Sequence, residues 1–415
     1  MDNGAILVGD IFMNCRMCKQ TDLMPVIDFG KHPIAHHLLL EQSQEEYIHL
    51  VELYFCNNCG LIQLVNPISP EILYTNYYSL TSWKNQPYIP LIIEMMEQLP
   101  GFNKSAAILE VGCNDGIFLE ALKERGYLNY LGIEPAKDAH EMSIKKGLNT
   151  RRAFFNQDTA EKIIGEQGKT DFFIARQVLE HIQVLEEFSK SMQMVLKKND
   201  YVLIEVPNFK CHFDTLDYSI WEEHVNYFTF DTLRFFLANA GIKLLTSKTV
   251  VFSGEALLII GRYVGKPISF SVDNYLPKLK SKMVQYKETW PKFKQEFRQF
   301  LETIKKDEKK IAVYGAGNKI CSLINFCELG QYISFVVDDQ LEKQNKFLPG
   351  SKLPIFSSKM LEQEKIDVCL LGVTRENEEK VINKHNNFLE CGGIFYAILP
   401  PTDRLPPFWK EMLPN

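Results

Sequence analysis

Residues 108–122 read Ile-Leu-Glu-Val-Gly-Cys-Asn-Asp-Gly-Ile-Phe-Leu-Glu-Ala-Leu, a short apolar run that breaks at Gly112 and Gly116 and resumes with apolar residues at helical spacing. A strand that turns this abruptly into a helix opens a βαβ unit, in which the helix crosses the sheet and delivers the next strand parallel to the first. Further apolar runs at Tyr130–Ile133, Asp171–Ala175 and Tyr201–Val206 fit that plan, since strands buried on both faces are apolar along their length. The alternation from Ile108 to Arg262 predicts an α/β fold with an open, Rossmann-like sheet. A second alternation, from Lys310 to Leu399, predicts another.

Open sheets of this kind bind ligands beyond the carboxyl ends of their strands. In the first unit the glycines let backbone approach a ligand, and Glu134 ends the second strand, where a carboxylate can accept both hydroxyls of a ribose. The turn lacks the GxGxxG order that seats a pyrophosphate, whereas Asn114 and Asp115 offer polar groups suited to an amino-acid moiety. S-adenosylmethionine meets both requirements better than NAD. The expected cofactor contacts are Glu110, Gly112, Asn114, Asp115, Gly116 and Glu134, with Gln177 and Val178 after the fourth strand. His181 follows on the same edge, where it either packs at a helix start or has a chemical role.

Cys15-Arg-Met-Cys18 and Cys56-Asn-Asn-Cys59 are CxxC knuckles that together hold four of the ten cysteines. Four thiolates at this spacing close a tetrahedral shell around zinc with no open position, so the metal is expected to fold a small domain rather than activate water.

Trp221-Glu-Glu-His-Val-Asn-Tyr227 crowds titratable and aromatic side chains into the loop after the Tyr201–Val206 strand. A histidine beside an acid can act as a general base, with Glu223 orienting the His224 ring and raising its basicity; alternatively the pair simply holds the loop. Between the two alternations, Leu276, Leu279, Met283, Tyr286 and Trp290 recur at helical spacing and predict one long amphipathic connector. With 46 basic against 52 acidic residues the formal net charge is -6, which argues against a broadly basic nucleic-acid surface. No apolar stretch approaches the roughly 20 residues of a membrane span, and the N-terminus lacks the order of a signal peptide, so a cytoplasmic protein without membrane partners is expected.

In this order, CxxC…CxxCG, EVGCNDGIFLEAL, EEHVNYFT and IAVYGAGNK…VVDDQLEKQNKFLPGSKLPI resemble the three-domain sugar C-methyltransferases that act on nucleotide-linked keto-deoxysugars. The resemblance implies a zinc-binding domain over 1–75, a class I methyltransferase domain over 76–265, a helical connector over 266–308 and a Rossmann-like substrate domain over 309–415. It implies that His224 removes a proton from the carbon beside the sugar ketone, giving an enolate that takes the methyl group, while Glu223 orients the base. Tyr227, Tyr77 and Tyr78 are then expected near the ketone oxygen, His181 and Trp221 against the sugar, and Gly315, Gly317 and Lys319 at the diphosphate or sugar. The expected partner is a nucleotide sugar, bound by a monomer or homodimer. The alternatives are O- or N-methylation, with His224 deprotonating a hydroxyl or amine, a non-enzymatic nucleotide-binding scaffold, and use of the Gly315–Lys319 turn by NAD.

Overall fold

The N-terminal knuckles are joined to three antiparallel strands, β1 (Leu23–Pro33), β2 (Ile48–Cys56) and β3 (Ile62–Val65). The computed structural model describes residues 7–8, 11–73 and 86–414; Tyr77 and Tyr78 lie outside these residues. Cys15 Sγ and Cys59 Sγ are 3.5 Å apart, as are Cys18 Sγ and Cys56 Sγ, and all four sulfurs lie within 4.8 Å of one another. Sulfurs on a tetrahedron of about 2.3 Å Zn–S bonds are about 3.8 Å apart, whereas a disulfide needs about 2.05 Å. The four cysteines are therefore placed to hold zinc and not to cross-link.

The central sheet has seven strands: β4 (Ile108–Val111), β5 (Tyr130–Ile133), β6 (Thr150–Arg151), β7 (Thr170–Arg176), β8 (Leu196–Pro207), β10 (Ile242–Val251) and β11 (Glu255–Tyr263), while β9 (Asn226–Tyr227) leaves it to pair with β3. Their order across the sheet is β10-β11-β8-β7-β4-β5-β6. The chain steps outward from β4 to β6 and then returns to the other side of β4, so the sheet reverses direction between β4 and β7. A crevice opens at that reversal because the helices after β4 and β7 lie on opposite faces. Helix α1 (Ile117–Glu124) starts at Gly116 after β4.

Five parallel strands in the order β14-β13-β12-β15-β16 form the C-terminal sheet: β12 (Ile311–Tyr314), β13 (Phe335–Val337), β14 (Ile355–Phe356), β15 (Val368–Leu371) and β16 (Ile394–Ala397).

The predicted connector is helix α2 (Leu276–Lys306), but it does more than connect. Leu279, Met283, Tyr286, Trp290, Phe293, Phe297 and Leu301 form a buried stripe at steps of three and four residues. That stripe belongs to one apolar core that takes in Leu53 and Phe55 of β2, Phe209 and Tyr227 of the central domain, and Ile320 and Ile324 of the C-terminal domain. Phe29 stacks on Phe326 at 4.2 Å between ring centroids and meets Trp290 edge-on at 5.2 Å. The first and last domains thus share a core, and the helix is its spine. Among the described residues no helix is long and apolar enough to cross a membrane.

Because β2 runs into the Cys56–Cys59 knuckle and β3 leaves it, zinc should hold their register. Cys56→Ser is expected to abolish stoichiometric zinc, measured by atomic emission, and to lower the melting temperature by several degrees; an unchanged melting temperature in the zinc-free protein would contradict a structural metal.

Candidate active site

The crevice between β4 and β7 is a cavity of about 1000 Å³ lined by Glu110, Gly112, Asn114, Asp115, Glu134, Gln177, Val178 and His181, together with Gln86, Phe118, Phe154 and Phe155. Gly112 has a φ of +69°, and a Cβ there would lie 2.4 Å from Val178 Cγ2, so only glycine lets the two post-strand loops approach this closely. Asn114 and Gln177 also adopt positive φ on facing sides of the cavity. The Glu134 carboxylate accepts the backbone N–H groups of Asn114 and Ala136 at 2.9 and 2.8 Å; each oxygen retains capacity for a second donor. Burial pushes Glu134 up to about 7 against the pull of those amides, and pushes Glu110 up to about 8. A recess with a buried acid at the end of its second strand and a backbone turn opposite fits the adenosine and amino-acid halves of S-adenosylmethionine. Gly116 serves the fold instead: it lines neither cavity of the site, and a Cβ on it would lie 2.3 Å from Leu148 Cδ1.

A second, small cavity of about 30 Å³ adjoins the first and shares Gln177 with it; Trp221, His224, Tyr227, His212, Ser253 and Lys319 line it. The His224 ring lies against Trp221 with centroids 3.9 Å apart and the rings tilted by 37°, and it meets His181 edge-on at 4.8 Å. Burial holds the His224 imidazole well below its usual value, and positive charge at His181, Lys319 and His212 pushes it in the same direction. Its Nε2 is buried with no hydrogen-bond partner among the described residues, as is Trp221 Nε1.

Three family models match the chain in order: a zinc binding domain over residues 15–74, a methyltransferase domain over 84–247 and a C-methyltransferase C-terminal domain over 278–400. The C-methyltransferase NovU of Streptomyces niveus is 25% identical over 405 residues, covering 93% of this chain and 95% of its own. The chain is a SAM-dependent methyltransferase, and its three matches stand in the order zinc-binding domain, methyltransferase domain, C-methyltransferase C-terminal domain. Solved structures of SAM-dependent methyltransferases from Anabaena variabilis and Archaeoglobus fulgidus are similar to 44% and 42% of the chain, covering 86% and 94% of theirs, at 15% and 19% identity and TM-scores of 0.37 and 0.34.

In this methyltransferase Glu223 does not orient His224. Its carboxylate lies 2.8 Å from His36 Nδ1 on the zinc-binding domain, and its backbone carbonyl hydrogen bonds His181 Nδ1 at 3.1 Å. Burial opposes charge on both side chains of the Glu223–His36 pair, but their contact prevails, holding His36 above and Glu223 below the usual values. Tyr227 donates its hydroxyl proton to the Trp221 carbonyl at 3.2 Å, so it braces the loop. Asp115 is paired with Lys146 at 3.1 Å, and the Gln177 side chain is committed to Glu205 at 2.9 Å.

Of the C-terminal turn, Lys319 alone reaches the small cavity, donating to the Ser253 carbonyl at 3.0 Å. Gly315 and Gly317 line neither cavity. Gly315 gives its N–H to the Val337 carbonyl and is needed because a Cβ would lie 2.7 Å from the Gly372 carbonyl oxygen. Asp338 accepts the amides of Ala316 and Gln340 and lies 3.3 Å from Lys343. Sequence reasoning passed over His36, Gln86 and the Phe154–Phe155 pair. The His36-His37 doublet was the available signal for the first; nothing in the local pattern marks the others.

Two outcomes follow from this geometry. Gly112→Ala should weaken S-adenosylmethionine binding at least tenfold by calorimetry, since it adds about 1–2 kcal/mol of backbone strain and pushes Val178 into the cavity; unchanged affinity would contradict the placement. The Glu223–His36 pair should be worth most between the ordinary carboxylate and imidazole values, about pH 4.5 to 6.5. The contribution of His36, whose value is raised, is lost as pH climbs through that raised value; that of Glu223, whose value is lowered, is lost as pH falls through it. Breaking a buried pair costs about 3–5 kcal/mol, so the melting-temperature deficit of Glu223→Gln should be largest in that window and shrink on either side.

Proposed function

We propose that the enzyme methylates a carbon beside the ketone of a nucleotide-linked sugar, with His224 as the general base. The observation that carries this reading is that a large cavity suited to the methyl donor and a small one holding an unpartnered imidazole nitrogen meet at Gln177. S-adenosylmethionine, when bound, supplies a methyl group on a positively charged sulfur. Every other requirement falls to side chains. Burial keeps His224 neutral at physiological pH, and in the tautomer with its proton on Nδ1 the Nε2 lone pair accepts the proton on the carbon beside the ketone. Negative charge then grows on the ketone oxygen, and Trp221 Nε1–H is a buried donor without another partner to meet it. Lys319, 5.7 Å from the Trp221 ring centroid, adds positive charge at the same wall and suits the diphosphate end of a nucleotide sugar. The motif order shared with the sugar C-methyltransferases supports the same substrate class.

His224→Gln should slow solvent deuterium exchange into a nucleotide-linked ketosugar, at the carbon beside the ketone, by about 10²–10⁴-fold while leaving S-adenosylmethionine affinity unchanged. Exchange at the wild-type rate in that variant would remove the base. Because the folded value of His224 is depressed, kcat/KM should stay level as pH falls through about 6.5 and decline only below it.

A further inference from the structure

Glu180, His181 and His224 bring one carboxylate oxygen and two ring nitrogens within 4.8 Å of one another. Glu180 is 1% exposed, and neither of its carboxylate oxygens has a hydrogen-bond partner among the described residues; His224 Nε2 is in the same condition. A buried acid left unpaired is costly, and the mechanism gives Glu180 no task. His181 supplies the third ligand. Its Nδ1 is hydrogen bonded to the Glu223 carbonyl, so Nδ1 carries the proton and the lone pair is on Nε2. This carbonyl anchor is how proteins fix the tautomer and orientation of a metal-binding imidazole.

We propose that Glu180, His181 and His224 form a second divalent-metal site, of two nitrogens and one oxygen, separate from the four cysteines. Two imidazoles and a carboxylate are the donor set that nickel, iron(II) and zinc accept with further positions open, whereas the thiolate shell favours tetrahedral zinc. Metal–ligand bonds of about 2.1 Å put neighbouring donors about 3.0–3.4 Å apart, so the side chains must converge by roughly an ångström, within reach of small side-chain torsions. The two rings already cross at 85° with centroids 4.8 Å apart, so they converge without stacking. An occupied site takes the Nε2 lone pair, so metal binding and proton removal exclude each other. That consequence rests on His224 being the base; the metal site itself does not.

The test is titration of tag-free, zinc-loaded enzyme with Ni²⁺ by calorimetry, with metal content measured by atomic emission after desalting. One nickel per chain is expected in addition to zinc, with affinity at least tenfold weaker in both Glu180→Gln and His224→Gln at unchanged zinc content. If Glu180→Gln does not fold, His181→Gln takes its place. No nickel beyond the zinc, or nickel bound equally by wild type and variants, would overturn the site. No turnover is read, so the metal site and the base assignment fail independently.

Discussion

The loop from Trp221 to Tyr227 carries the proposed base yet has only the two-residue strand β9 as regular structure, so its position depends on what the rest of the chain does to it. The decisive hold is the buried Glu223–His36 pair, reinforced by the Ala35 N–H donating to Glu222 at 2.7 Å. Both contacts come from the zinc-binding domain. The core adds others: the Val225 N–H donates to the Glu180 carbonyl, and the Leu64 N–H donates to the Val225 carbonyl. A further clamp comes from α2, where the Tyr286 hydroxyl donates to the Asp217 carbonyl and the Tyr218 hydroxyl donates to the Tyr286 carbonyl. The zinc domain and the long helix therefore belong to the active site although neither supplies the base. Buried ion pairs are poor sources of net stability, but breaking one is costly, which makes this pair a means of specifying one loop position.

The same burial decides the electrostatics. Glu223 is spent on His36, so no carboxylate raises the basicity of His224, while burial and the charge of Lys319 both oppose its protonation. The proposed base is kept available by being hard to protonate, the reverse of a histidine activated by an adjacent carboxylate. Around the donor cavity burial raises Glu110 and Glu134 toward neutral pH, which softens the cost of seating a cofactor against acids in an apolar recess.

Much of the architecture was legible in local pattern. The strand and turn at Ile108–Gly116, the acid at Glu134 and the knuckle spacing each express geometry settled within a few residues, and the structure brings them together at one crevice and one four-sulfur cluster. The apolar stripe of Leu279, Met283, Tyr286 and Trp290 gave the long helix by the same reasoning. The same local logic put Gly315 and Gly317 at substrate, whereas they line neither cavity of the site. At Gly315 glycine answers the approach of the Gly372 backbone, while Gly317 precedes the helix at Asn318–Phe326, and a glycine turn reads alike whether a ligand or another strand lies opposite.

By itself, then, the sequence determined the elements, the parallel sheets, the sulfur ligands and the cofactor crevice, because periodicity and short spacings act along the chain. Only the tertiary structure decided which groups meet across it. It gave Glu223 to His36, committed the Tyr227 hydroxyl to the Trp221 carbonyl, left His224 Nε2 without a partner and set Glu180 beside two histidines. Those pairings follow from three domains sharing one core, where desolvation penalises every unmatched polar group and so chooses partners by proximity in the packed molecule rather than by proximity in sequence.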